Sequence, residues 1–182
     1  MYNKEAEASL YYLYMSADGQ KTYSEEKVFS KICDELSLDE TQKEDVIRKC
    51  KELLAYSKDV KDIIEMEKID ENAKKGWILD RPKSELAGII WNLINLGYSD
   101  QYFSQPEKEI VQELAKKWDI SSQVYHEFID ISETMLSLTE QRNWAYSHSV
   151  NMESYERAER QCDEDMATLL NDVNLTIQEL AM

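Results

Sequence analysis

The residues best suited to chemistry in this chain are acidic and lie in two turn-like stretches. The first stretch reads SADGQKTYSEEKVF and the second reads LGYSDQYFSQPEKEIV. In each, an Asp is followed four residues later by Thr or Ser, and a Glu follows three residues after that. The six residues are Asp18, Thr22, Glu25, Asp100, Ser104 and Glu107. Such oxygen donors suit a hard cation (Ca²⁺, Mg²⁺ or Mn²⁺), and they also suit the start of a helix.

A standard EF-hand calcium loop does not fit either stretch. If Gly19 takes the place of the loop glycine, Glu25 falls at the bidentate last position and Asp18 at the fifth position. The first ligand is then Tyr14, which has no carboxylate, and its counterpart in the second stretch is Leu96. We therefore exclude a standard EF-hand.

Two interpretations of the acidic stretches remain. The hydroxyl and the Glu of each stretch have the spacing of a helix capping box. Asp18 and Asp100 lie four residues before the cap, where each could form an Asx turn. Alternatively, the two turns face each other, so that four carboxylates repel one another unless a cation lies between them. Spacing alone favours capping.

The elements that would position these residues are helical. Apolar residues recur at intervals of three and four throughout, Gly and Pro are scarce, and no segment alternates with a period of two. The chain is predicted to be all-α. The pattern predicts a helix over 121–137, a separate helix opening at Thr139, and a last helix over about 151–180. The first stretch and its helix match the second at a shift of 82 residues, which indicates an internal duplication.

The charge of the chain limits its ligands. With 37 acidic and 21 basic residues, the net charge is −16. Such a surface repels nucleic acid and anionic membranes, so we expect neither as a direct ligand. No transmembrane segment or signal peptide is predicted. Cys33, Cys50 and Cys162 are odd in number and widely spaced, which favours core positions in a reducing compartment, so a cytoplasmic protein is expected.

Catalytic constellations are absent from the sequence. His126 and His148 are the only histidines, and neither has a Ser or Cys arrangement typical of a nucleophilic site. Phosphate loops, a GxSxG elbow and an HExxH motif are missing. We predict that the protein is not an enzyme and uses no organic cofactor.

The two acidic turns, with their matched helical phase, resemble those of the TerB-like (tellurite-resistance TerB) family. The resemblance covers roughly residues 5–137 and implies a compact TerB-like helical domain over 1–137, with half-repeats at about 5–56 and 83–137 and a helical linker at 57–82. Residues 138–182 would form a C-terminal helical extension. We expect this extension to pack on the domain, and packing on a partner helix is the alternative.

For function, the resemblance implies an acidic, divalent-metal-associated module of bacterial stress response or of phage and toxic-ion defence, which acts through protein partners. The metal ligands carried over are Asp18, Glu25, Asp100 and Glu107. One departure is Gln101, which stands where a glycine is expected after the second Asp. The alternative function is a metal-free adaptor that uses its acidic surface and C-terminal helix. The sequence predicts no particular oligomeric state.

Overall fold

The computed structural model describes residues 3–57, 59–75 and 81–181. This part of the chain contains helices and no strands, which confirms the all-α prediction. The helices are α1 (Lys4–Tyr14), α2 (Tyr23–Glu35), α3 (Glu40–Tyr56), α4 (Val60–Met66), α5 (Ile69–Lys75), α6 (Lys83–Tyr98), α7 (Gln105–Lys117), α8 (Ser122–His148) and α9 (Met152–Glu179). Residues 76–80 of the predicted linker lie outside the described residues, and Pro82 stands immediately before α6.

The duplication is visible in the backbone. Helix α7 begins and ends 82 residues after α2, and α8 begins 82 residues after α3. Both α2 and α7 end in the same Schellman-type cap. Ser37 and Asp119 have left-handed φ angles of 57° and 55°, and the next amide in each case reaches back to a carbonyl five residues earlier (Leu38 N to Cys33 O, 3.0 Å; Ile120 N to Ala115 O, 2.9 Å).

The helices α1 and α6 hold equivalent positions at the centre of the two halves. Helix α1 packs against α2, α3, α4, α5 and α6, while α6 packs against α1, α2, α7, α8 and α9. Both are apolar on more than one side, and α6 buries nine of its residues. A helix that is apolar on most sides is stable only when other helices surround it. The core therefore joins the two halves.

A buried ion pair ties the second half to the first. Arg81, just before α6, places Nη2 2.7 Å from a carboxylate oxygen of Glu7 in α1. Both side chains are almost fully buried. A paired charge in a core fixes the relative position of its elements, because removing one partner leaves the other charge desolvated.

The prediction of two helices around residue 138 is wrong, because α8 is continuous from Ser122 to His148. The hydroxyls of Ser137 and Thr139 donate hydrogen bonds to the carbonyls four residues earlier, those of Glu133 (3.1 Å) and Met135 (2.9 Å). Both residues therefore fit inside the helix and do not cap a new one. No Gly or Pro interrupts this region. Position 138, the predicted start of the extension, therefore lies inside a helix.

Helix α9 contacts α6 and runs antiparallel to α8, because successively later residues of α9 meet earlier residues of α8 in the pairs Tyr146–Tyr155, Arg142–Asp163 and Glu127–Thr176. Its Val173 is almost completely buried in the core, and Leu169, Ile177 and Leu180 pack against the same cluster. None of the helices in the described part of the chain has the length and apolarity required to cross a lipid bilayer.

Candidate functional site

Each acidic turn connects two helices of one half. The first joins α1 to α2, and the second joins α6 to α7. Asp18 Oδ1 accepts from the N–H of Gln20 at 2.9 Å, and Asp100 Oδ1 accepts from the N–H of Tyr102 at 3.0 Å. Both aspartates thus form Asx turns, as the capping interpretation of their spacing predicts. The turn uses only one oxygen of each carboxylate.

The turns share an unusual backbone angle. Gly19 has φ 79° and Gln101 has φ 73°, so both residues after the aspartates are left-handed. Gln101, the departure from the expected glycine, therefore leaves the turn geometry unchanged. Glycine takes this conformation without strain, whereas glutamine takes it at a cost in free energy.

Both glutamates close capping boxes, as their spacing predicts. Glu25 Oε2 accepts from the N–H of Thr22 at 2.6 Å, and the Glu25 N–H donates to the Thr22 hydroxyl at 3.2 Å. The corresponding distances for Ser104 and Glu107 are 2.8 and 3.4 Å. Capping therefore accounts for the positions of the four residues.

Capping does not explain the electrostatics of the site. Glu25 and Glu107 are both buried. Burial raises the pKa of Glu107 to about 7; hydrogen bonds from Ser104 oppose this rise, and the charges of Asp18 and Glu25 add to it. Burial also raises the pKa of Glu25, against the hydrogen bonds from Thr22, and the charges of Asp100 and Asp18 again contribute. The acids of the two halves are thus close enough to disfavour one another's ionisation.

Tyr14 is a member of this site that the sequence reasoning missed. It is the last residue of α1, it is completely buried, and its hydroxyl has no hydrogen-bond partner. Burial raises its pKa well above the usual range, and the charges of Glu107 and Glu25 contribute. Its position one helical turn before Asp18 is the signal that the sequence offers, but Tyr14 also has the apolar phase of α1, and that phase predicts a core residue.

The oxygen atoms around the two acidic turns are of the kind that binds a hard cation. Their side chains are not, in this arrangement, close enough together to form a binding site. Four carboxylates and a phenolic oxygen are the oxygen donors that Ca²⁺, Mg²⁺ or Mn²⁺ prefers. The buried, unpartnered hydroxyl of Tyr14 is an orphaned polar atom beside them. However, across residues 3–57, 59–75 and 81–181 no group of three or more His, Cys, Asp or Glu side chains is close enough to hold a metal ion.

The remaining candidate residues lie elsewhere. His126 and His148 are exposed on α8, and the His148 ring stacks on Trp144. The three cysteines are buried and free, and burial raises the pKa of the Cys33 and Cys50 thiols to about 11. Around the acidic turns, Tyr23 and Tyr102 are exposed.

Comparison with known proteins gives one match. The profile of the family described as "Tellurite resistance protein TerB" matches residues 4–128, which span α1 through the first quarter of α8 and include both acidic turns. No curated protein and no solved structure matches significantly. Because the match covers more than half of the chain, this chain belongs to the TerB family.

Proposed function

We propose that the protein is a non-catalytic, acidic helical module of bacterial stress or defence systems, that it associates with a divalent cation at the two acidic turns, and that it acts through protein partners in the cytoplasm. The observation that carries the cation part is the mutual influence of four carboxylates from two half-repeats. Two of them, Glu25 and Glu107, are buried; burial raises the pKa of both, and the charges of the neighbouring carboxylates add to the rise. A cation would stabilise the ionised form of both groups.

The cation part predicts stabilisation by mass action. At a cation concentration 100 times the Kd, the free energy of unfolding should rise by roughly 2.7 kcal/mol. For a chain of this size that is a shift of several degrees in Tm. The measurement is a thermal unfolding curve at 0 and 10 mM CaCl₂, MgCl₂ or MnCl₂, in otherwise identical buffer.

The variant pair Asp18→Asn and Asp100→Asn isolates the site. Asparagine keeps the Oδ1 acceptor of each Asx turn, so the fold should persist while two charges are removed. The double variant should lose the Tm rise. The control carries Asp172→Asn and Glu179→Gln, two exposed acids of α9, and should keep it. No Tm rise in the wild type with any of the three cations would refute the cation part.

A second candidate is a metal-free adaptor that uses the acidic surface and the C-terminal helix. The absence of a three-ligand cluster among the described residues favours it. Deleting residues 151–182 would not test it cleanly, because the deletion removes Val173 from the core. Substitutions at exposed positions of α8 and α9 keep the core intact and are the better test.

A further inference from the structure

The C-terminal part of α8 and the N-terminal part of α9, residues 138–168, form a helical hairpin outside the hydrophobic core. Between residues 138 and 168 only Ala145 and Cys162 are buried, and neither belongs to the core cluster. Helix α8 continues 16 residues beyond Ser132, its last buried residue before Ala145, which corresponds to about 24 Å. The family match ends at residue 128. This hairpin is therefore separate from both the core and the matched region.

The two helices of the hairpin are joined along a single seam. Arg142 Nη2 lies 2.6 Å from Asp163 Oδ1 and 3.6 Å from the sulfur of Met166. Nearer the turn, the rings of Tyr146 and Tyr155 meet edge-on, 5.5 Å apart. Each helix thus buries one narrow stripe and leaves its other faces open. Long helices with so little burial gain stability when another surface covers them.

The end of the hairpin, residues 140–160, exposes large apolar side chains; we call it the hairpin tip. Trp144 is 64% exposed, Tyr146 76%, Val150 95% and Met152 70%. These are four of the ten large hydrophobic side chains that are exposed in the described part of the chain. Trp and Tyr are the residues most enriched among those that dominate binding energy in protein interfaces.

The arrangement of these side chains selects the shape of the partner surface. Trp144 and Tyr146 are two residues apart, so their directions around the axis of α8 differ by about 160° and they lie on nearly opposite sides of the helix. A flat surface or a single docked helix could cover one of them but not both. A cleft that receives the tip from both sides would cover both.

The charge of the hairpin selects the chemistry of its partner. The hairpin, residues 138–168, contains seven acidic residues and three arginines, a net charge of −4, and three of these acids follow the tip in α9: Asp163, Glu164 and Asp165. Arg142 and Arg157 already pair with Asp163 and Glu153 within the hairpin. A second copy of the chain, or an anionic membrane, would bring charge of the same sign. A protein surface with a basic rim is attracted instead.

We propose that the hairpin tip is a docking element that inserts into an apolar, basic-rimmed cleft of a partner protein, which covers Trp144 on one side and Tyr146 on the other. This rests on the proposed function, because it specifies the surface through which the protein acts on a partner. It is independent of the cation at the acidic turns.

The experiment uses the full-length chain with a photo-crosslinking amino acid at position 144, at position 146 or, as a control, at position 56. Tyr56, at the end of α3, is an aromatic that is 91% exposed, more than either Trp144 or Tyr146. In cells that express the protein naturally, the same protein should crosslink from positions 144 and 146 and not from 56. Crosslinks from only one of the two positions, or only to a second copy or to lipid, would overturn the proposal.

Binding of the purified crosslinked protein then supplies the quantitative test. Trp144→Ser and Tyr146→Ser should each weaken its affinity at least tenfold, whereas Tyr56→Ser should change it less than twofold. Affinity should also fall at least tenfold between 50 and 500 mM NaCl. Unchanged affinity in both tip variants, or binding insensitive to salt, would overturn the inference while the partner function stands. Both variants should retain any cation-dependent Tm rise, so failure of the cation part is recognised separately.

Discussion

The buried carboxyl of Glu107 should make Glu107→Gln a stabilising substitution at alkaline pH. The pKa of Glu107 is about 7 in the folded chain, against an ordinary value of 4.5. The folded chain therefore holds an extra proton between pH 4.5 and pH 7. The corresponding stability is fully present below pH 4.5 and is lost as the pH rises through 7.

The size of the effect follows from the pKa difference. Each unit by which folding raises a pKa is worth about 1.4 kcal/mol, so the free energy of unfolding of the wild type should be lower by about 3 kcal/mol at pH 8 or above than it would be without this shift. Glutamine carries no charge, so the variant avoids this loss. Its amide oxygen can still accept from the N–H of Ser104, but a neutral acceptor at a helix start is weaker by about 1 kcal/mol. The net expectation is a gain of about 2 kcal/mol at pH 8.5 and no gain at pH 4.5.

Urea unfolding of the wild type and the variant at several pH values, with EDTA present, measures this difference. Comparing the two proteins at each pH cancels the contributions of the other acids. The matched control is Glu26→Gln, an exposed acid in the first turn of α2, which should change stability by less than about 0.5 kcal/mol at every pH. If Glu107→Gln destabilises the protein at pH 8.5, or if its effect does not vary with pH, the electrostatic reasoning about the site is wrong.

Two further predictions concern backbone positions. Gln101 has φ 73°, so Gln101→Gly should stabilise the protein by about 1 kcal/mol in urea unfolding. Gly19→Gln should destabilise it by a similar amount, and effects of the same sign in both variants would contradict the shared turn geometry. Gly97→Ala should destabilise by about 1–2 kcal/mol, because its Cβ would lie 2.5 Å from the Phe103 ring. Gly88→Ala in the same helix meets nothing within 4 Å and should stabilise by up to about 1 kcal/mol, so a stabilising Gly97→Ala would refute the packing argument.

Much of the fold follows from local signals that act within a few residues. Capping boxes at Thr22 and Ser104 begin α2 and α7 where the hydroxyl and Glu spacing predicts, because this cap depends on one turn of chain. The break predicted near residue 138 fails for the opposite reason. Ser and Thr hydroxyls can cap a helix or bond back into one, and packing against α9 decides between these outcomes. A sequence pattern does not contain that information.

The candidate site was predictable only in part. The four acidic positions could be found because they recur at a constant shift. The role of Tyr14 could not, since a tyrosine in the apolar phase of α1 is assigned to the core unless its hydroxyl is known to lack a partner. The raised pKa values of Glu25 and Glu107 depend on desolvation, which arises from residues distant in sequence.

The unbroken course of α8 sets a rule for how its hairpin can change in length. Each residue inserted or deleted between the core and the tip rotates everything beyond it by about 100° and moves it by about 1.5 Å. One inserted residue would place Trp144 at the buried position of Ala145 and carry Ala145 out of the seam to the exposed position of Tyr146. Tolerated length changes in α8 should therefore come in near-complete turns of three or four residues, matched by equal changes in α9. Relatives with longer or shorter hairpins would keep the tip in the same orientation while varying its reach.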